Sequence, residues 1–157
     1  NGNKKIAFVS GALIDPITGQ HRLKGYKEAL KANDLDYNEG LIFEAKYSFK
    51  DGLSLVDRIL NSGATAAFVS DDELAIGILD GLIDAGKKVP EDFEIITSNN
   101  SLLTDVARPR LSSITQPLYD LGAVSMRLLT KMMNKEDVED KTIILPYGID
   151  EKGSTKK

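Results

Sequence analysis

Apolar residues fall along this chain in short unbroken runs, separated by stretches with helical spacing. Ile6-Ala7-Phe8-Val9 is apolar throughout, as a strand covered on both faces requires. After a loop carrying the turn signal Asp15-Pro16, the pattern predicts a helix over about Thr18–Ala32, with Leu23, Tyr26 and Leu30 inward and Gly25 at a close approach to the sheet. Leu41–Tyr47 reads as a second strand. Ser48 or Asp51 caps a helix bearing Leu53, Val56, Ile59 and Leu60, which Gly63 ends. Ala66–Val69 is the next strand. Leu74, Ala75, Ile78, Leu79, Leu82 and Ile83 then recur at helical spacing up to Ala85-Gly86, and Phe93–Ile96 is a further strand. Leu102–Ala107 forms one helical turn stopped by Arg108-Pro109, and Leu111–Thr115 a short strand. A helix runs from Pro117 to about Asn134 with Leu121, Leu128, Leu129 and Met132 on its core side. Ile143-Ile144-Leu145 reads as the last strand, ended by Pro146. The order βαβαβαβ, then β, α and β, predicts a three-layer α/β domain on a parallel sheet.

The unit Ala66–Asn100 draws most attention. Its two strands are expected to be parallel neighbours joined by the intervening helix. Polar residues gather where each strand ends: Ser70, Asp71 and Asp72 after one, Ser98, Asn99 and Asn100 after the other. Ligands of open parallel sheets bind beyond the carboxyl ends of the strands. Ser70-Asp71-Asp72-Glu73 also matches an S-x-x-E capping box. Capping accounts for one or two acids, not three in succession, so Asp71 or Asp72 is expected to face a ligand crevice and accept hydrogen bonds from hydroxyls.

Composition narrows the function. A length of 157 residues suits one domain. The net charge of −4 argues against this chain holding nucleic acid by its own electrostatics. There is no cysteine for a disulfide or thiolate site, no apolar run of the ~20 residues a membrane span needs, and no secretory signal. Phosphate-loop, dinucleotide, HExxH and CxxC motifs are absent, and the single histidine, His21, reads as a solvated residue beside Arg22. Nothing marks an enzyme, and no cofactor or metal is expected.

One helix face bears on binding. At 100° per residue, Asp120, Val124, Arg127 and Lys131 of the Pro117–Asn134 helix share a sector. That face is either a solvated strip of opposite charges or a docking surface whose two cations suit a phosphorylated partner.

VSDDELAIG followed by VPEDFEII, and then QPLYDLGAVSMRLLTKMMNKEDV with ILP after it, resemble the LacI/GalR family of transcription regulators, in its carbon-catabolite-control branch. The resemblance runs from Lys4 to Thr155. It implies a periplasmic-binding-protein-like (type I) fold of two subdomains around an effector cleft. Residues 4–108 would be the C-terminal effector-binding subdomain, 111–134 a strand and helix of the N-terminal subdomain, and 141–157 a final strand and tail returning to the first. A DNA-binding headpiece and most of the N-terminal subdomain would lie upstream. The 111–134 helix would then have lost native packing and be disordered, repacked or swapped between chains.

By the same resemblance, Arg22, Tyr47, Asp71, Asp72 and Asn99 occupy effector-binding positions. Asn99 stands where the family usually has an aspartate, which disfavours tight neutral-sugar binding and suits a phosphorylated sugar as adjunct effector. Tyr119, Asp120, Val124, Arg127 and Lys131 match a surface that docks the corepressor HPr phosphorylated on serine. The resemblance further implies a cytoplasmic homodimer that touches DNA through the headpiece and has no membrane association. The alternative with the same fold is a sugar-binding protein of a transport system.

Overall fold

The computed structural model describes residues 1–138 and 140–156. Its strands are β1 (Ile6–Ser10), β2 (Ile42–Glu44), β3 (Ala66–Val69), β4 (Glu94–Thr97), β5 (Ser112–Thr115) and β6 (Gly148–Asp150). They form one sheet in the order β2-β1-β3-β4-β5-β6, parallel except for the antiparallel β5–β6 pair. The helices are α1 (Arg22–Ala32), α2 (Phe49–Asn61), α3 (Asp72–Asp84), α4 (Leu102–Val106) and α5 (Leu118–Met133). The expected α/β architecture on a mainly parallel sheet is the one observed.

The core lies between the sheet and the α2–α3 pair. Ala7, Val9, Ala67, Val69 and Ile95 meet Val56, Ile59, Leu74, Ile78, Leu79 and Leu82 there, all buried. Burying an aliphatic side chain contributes about 1.5–3 kcal/mol, so this layer carries most of the stability. Gly52 and Gly77 let α2 and α3 touch by backbone: a Cβ on Gly77 would stand 2.1 Å from the Phe49 carbonyl oxygen. The opposite face has α1 over β1, with the Tyr26 ring 5.3 Å from that of Phe8 and its hydroxyl donating to the Ile6 carbonyl at 2.7 Å. Burial first, and then the neighbouring Tyr37, pushes the Tyr26 phenol up to about 12. A groove of about 1020 Å³ runs along the rest of this face, past Ile6, Phe68, Ile96, Ile114 and Ile149.

Several local expectations need correction. Gly25 meets nothing within 4 Å; the close glycine contacts are at α2–α3. The α1 helix begins at Arg22, after a π-helical turn Pro16–His21 whose amides at Ile17 and Thr18 are capped by the Asp15 carboxylate. β2 is shorter than Leu41–Tyr47. The last strand is Gly148–Asp150, not Ile143–Leu145: Ile114 pairs with Ile149, and Ile144 is 91% exposed. The free edge of β5 is taken by Gly148–Asp150, so apolar character at Ile143–Leu145 does not make a strand. No residue of α5 is buried, so Leu121, Leu128, Leu129 and Met132 are not core. Their spacing is amphipathic, but among the described residues no element covers their side. No described helix is long and apolar enough to cross a membrane.

Candidate functional site

β1, β3 and β4 end together in three buried serines, which tie the carboxyl edge of the sheet. The Ser70 hydroxyl donates to Ser10 Oγ at 3.2 Å, and Ser98 Oγ to the Ser70 carbonyl at 2.8 Å. Arg22, at the first turn of α1, donates from Nη1 to that same carbonyl at 2.7 Å. Its guanidinium is thereby held over the edge, with further N–H donors free for a ligand. Tyr47 follows β2, and its ring lies against Gly11, where a Cβ would meet it at 2.5 Å. Burial raises the Tyr47 phenol, but the neighbouring hydroxyls of Thr18, Ser70 and Ser10 and the Gly11 backbone outweigh it, so it stays below its ordinary value. The residue keeps 41% exposure, enough to present a surface to a ligand.

The three acids after β3 divide their work. Asp71, not Ser70, is the N-cap of α3: its Oδ1 accepts from the amides of Glu73 at 3.0 Å and Leu74 at 3.1 Å. Glu73 instead accepts from the Phe49 amide at 3.1 Å, so the capping box is not formed. Serine 70 is drawn into the strand-end network, which leaves the next residue to cap. The other Asp71 oxygen accepts from Asn99 Nδ2 at 3.2 Å, and both side chains are half-buried. Asp72 is turned inward, 2% exposed. Its Oδ1 accepts from Thr97 Oγ1 at 2.8 Å and the Asn99 amide at 3.4 Å, its Oδ2 from the Ser101 amide at 2.7 Å. With both oxygens engaged by the β4–α4 loop, Asp72 offers a ligand little and the loop a great deal.

The structure thus brings Arg22, Tyr47, Asp71 and Asn99 together around Ser70, with Asp72 behind them. Hydroxyls, carbonyls, one carboxylate, one amide, one guanidinium and one aromatic face suit a polyhydroxylated ligand. Among the described residues no cluster of histidines and acids could hold a metal.

The second group lies apart, on α5. Val124, Arg127, Leu128 and Lys131 line a depression of about 590 Å³, closed on its other side by Asp137, Val138, Asp140 and Ile143. Tyr119 and Asp120 sit at the start of the helix, exposed and outside that depression.

Two polar centres escape any reading of local pattern. Glu94, only 3% exposed, accepts from Asn1 Nδ2 and Asn3 Nδ2, each at 2.6 Å, and from the Lys156 amide at 2.9 Å. Burial raises its pKa, but these donors win and hold it below the ordinary glutamate value. Lys152 meets four oxygens at the α4–β6 junction. Apart from Asp150 beside Lys152, the partners of both residues lie tens of positions away, so no motif announces them.

The periplasmic binding protein-like domain model matches residues 1–155, and the chain belongs to that family. Proteins similar to this chain include transcription regulators. Catabolite control protein A of Streptococcus mutans is 62% identical over 97% of this chain and 46% of its own length. The crystal structure of transcription regulator CcpA of Lactococcus lactis matches with a TM-score of 0.92 at 50% identity, over 99% of this chain and 57% of that one. A transcriptional regulator CelR–cellobiose complex matches with a TM-score of 0.89 at 28% identity, over 98% of this chain and 47% of the other. The chain spans about half the length of the curated relatives it matches.

Proposed function

We propose that this chain is the effector- and corepressor-binding part of a carbon catabolite transcription regulator of the LacI family. The observation that carries the reading is the α5 face, where two exposed cations, Arg127 and Lys131, flank the apolar Val124 at a depression whose far side is formed by Asp137, Val138, Asp140 and Ile143. Phosphate pairs with guanidinium and ammonium groups, and the valine adds an apolar contact. The partner is serine-phosphorylated HPr, with Tyr119 and Asp120 at the edge of the contact. Residues 4–108 act as the C-terminal subdomain, 111–134 belong to the N-terminal subdomain, and 141–157 return.

Arg22, Tyr47, Asp71 and Asn99 line the effector half-site, and Asp72 shapes it from behind. The cellobiose complex of a structural relative supports a sugar ligand here, and the amide of Asn99, where the family usually has a carboxylate, favours a phosphorylated sugar as adjunct effector. The intact regulator is a cytoplasmic homodimer that binds DNA through a headpiece. Exposed Ile83, Leu102 and Val106 on α3 and α4 support a dimer contact in this subdomain.

Reversing both charges, Arg127→Glu with Lys131→Glu, in the intact regulator tests the assignment by calorimetry with HPr phosphorylated on serine. Binding is expected to fall at least a hundredfold while the melting temperature stays within a few degrees. Unchanged affinity would overturn it.

A further inference from the structure

Lys152 lies just after β6, its side chain only 10% exposed. Its ammonium donates to Thr104 Oγ1 at 2.8 Å and Asn100 Oδ1 at 3.0 Å, and pairs with Asp105 at 2.9 Å and Asp150 at 3.3 Å. Three elements therefore converge on one nitrogen: the loop after β4, helix α4, and β6. Lysine has three N–H bonds to give and four acceptors around it, so its donor capacity is fully used.

What the ammonium grips matters more than how tightly. Asn100 adopts φ +49°, in the left-handed region that asparagine enters more readily than other non-glycine residues, so what its side chain bonds to decides whether the turn is held. Its side-chain oxygen is fixed by Lys152 and Thr104, and its amide donates to Ser113 Oγ at 2.9 Å. On either side of it stand Asn99, whose Nδ2 donates to Asp71, and Ser101, whose amide donates to Asp72. The direction of the Asn99 amide thus depends on a backbone turn that Lys152 holds from the far side. The backbone of Lys152 is itself anchored, its amide donating to Ser112 Oγ at 2.8 Å.

We infer that Lys152 is a positioning residue: through Asn100 it sets the Asn99–Asp71 pair at the carboxyl edge and couples that edge to the position of the returning strand β6. The functional weight of this inference rests on the reading of Asn99 and Asp71 as effector contacts. Its structural content does not, and the test is built on that difference.

Lys152→Met keeps the stem and removes the ammonium. Amide hydrogen exchange, followed by NMR, is expected to accelerate at least tenfold at Asn100 and Ser101 with no matching change at Leu79 in α3, and the Asn99 side-chain amide resonances shift. Asn100→Gly keeps the left-handed turn while removing the acceptor, and serves if Lys152→Met does not fold. It is expected to shift the same Asn99 resonances, and adding Lys152→Met to it produces no further shift. Unaltered exchange at Asn100 and Ser101, uniform acceleration across the sheet, or additive shifts in the double variant would overturn the inference. A separate titration of the intact regulator with glucose 6-phosphate, showing no perturbation of Asn99 while the exchange result holds, would remove the effector reading and leave the positioning role standing.

Discussion

Asp71 and Asp72 are adjacent, identical in chemistry and opposite in expected consequence. Replace each by asparagine. At Asp72 the amide is isosteric but supplies one acceptor where the site needs two. With its oxygen toward Thr97 and Asn99, its NH2 opposes the Ser101 amide. Turned over, it opposes the Asn99 amide and leaves the Thr97 hydroxyl without an acceptor. Either way one donor loses its acceptor, the part-buried Ser101 amide or the buried Thr97 hydroxyl, at about 1–3 kcal/mol with the lower end for the former, and charge-assisted bonds worth about 1.5–3 kcal/mol each weaken to neutral ones. The net expectation is a loss of about 2–4 kcal/mol, large beside a domain stability on the order of 5–15 kcal/mol.

At Asp71 the cap survives, because asparagine is as good an N-cap as aspartate. Its Oδ1 still accepts from Glu73 and Leu74, and the half-buried Asn99 amide can turn over to present its oxygen to the new NH2. The loss is at most about 1 kcal/mol, from charge at the helix N-terminus. Urea unfolding at neutral pH followed by circular dichroism separates the two, provided the slope m is unchanged. A cost below about 1 kcal/mol for Asp72→Asn, or equal costs for both variants, would refute the division into a carboxylate that supports the loop and one that the fold can spare.

The glycines give a paired stability prediction. Gly77→Ala places a Cβ 2.1 Å from the Phe49 carbonyl oxygen and 3.0 Å from Gly52 Cα, so α2 and α3 must part. Overpacking of about 1–3 kcal/mol or more exceeds the helix-propensity gain of about 1 kcal/mol, and net destabilisation is expected. Gly25→Ala meets open space and stabilises by roughly 0.5–1 kcal/mol; thermal melts of both decide. Glu94 supplies the pH prediction. Its folded pKa is depressed, so the folded state binds fewer protons, and its stabilisation is present above the ordinary value of about 4.3 and lost as pH falls through the folded value. Glu94→Gln is expected to melt lower at pH 7 and to flatten the acid limb of the melting curve below pH ~4.3; an unchanged limb would count against this account.

How far the sequence discloses this molecule depends on the range of the interaction involved. β1, β3 and α3 were legible because burial is written locally: an unbroken apolar run or a 3.6-residue stripe needs no partner to be recognised. The polar carboxyl edge was legible for the same reason, since the parallel connection brings Ser70 and Ser98 to one side of the sheet. The details that fail are those decided by distant atoms. Which of Ser70 and Asp71 caps α3 turns on Ser10, sixty residues away, engaging the serine hydroxyl. Which acid faces outward turns on Thr97 and Ser101. The strand at Gly148–Asp150 is set by its pairing with Ile114 and Thr115, against a local pattern that favours Ile143–Leu145.

The same argument explains α5. Its stripe is a sound helical pattern, and the helix forms, yet no residue on it is buried. An amphipathic stripe specifies that a partner is wanted, not that this chain contains it. The face that was ambiguous by spacing, Val124 with Arg127 and Lys131, stays at the surface in the folded chain beside acids at 137 and 140. A solvated strip of opposite charges would show weak, additive effects of about 0–1 kcal/mol when its charges are removed singly. A phosphate clamp shows strong coupling, because each cation is more effective once the other has fixed the anion. A double-mutant cycle of Arg127→Ala and Lys131→Ala on binding of serine-phosphorylated HPr to the intact regulator therefore separates the two readings more sharply than either variant alone. A coupling energy above about 1 kcal/mol is expected, and additivity would return the face to solvent.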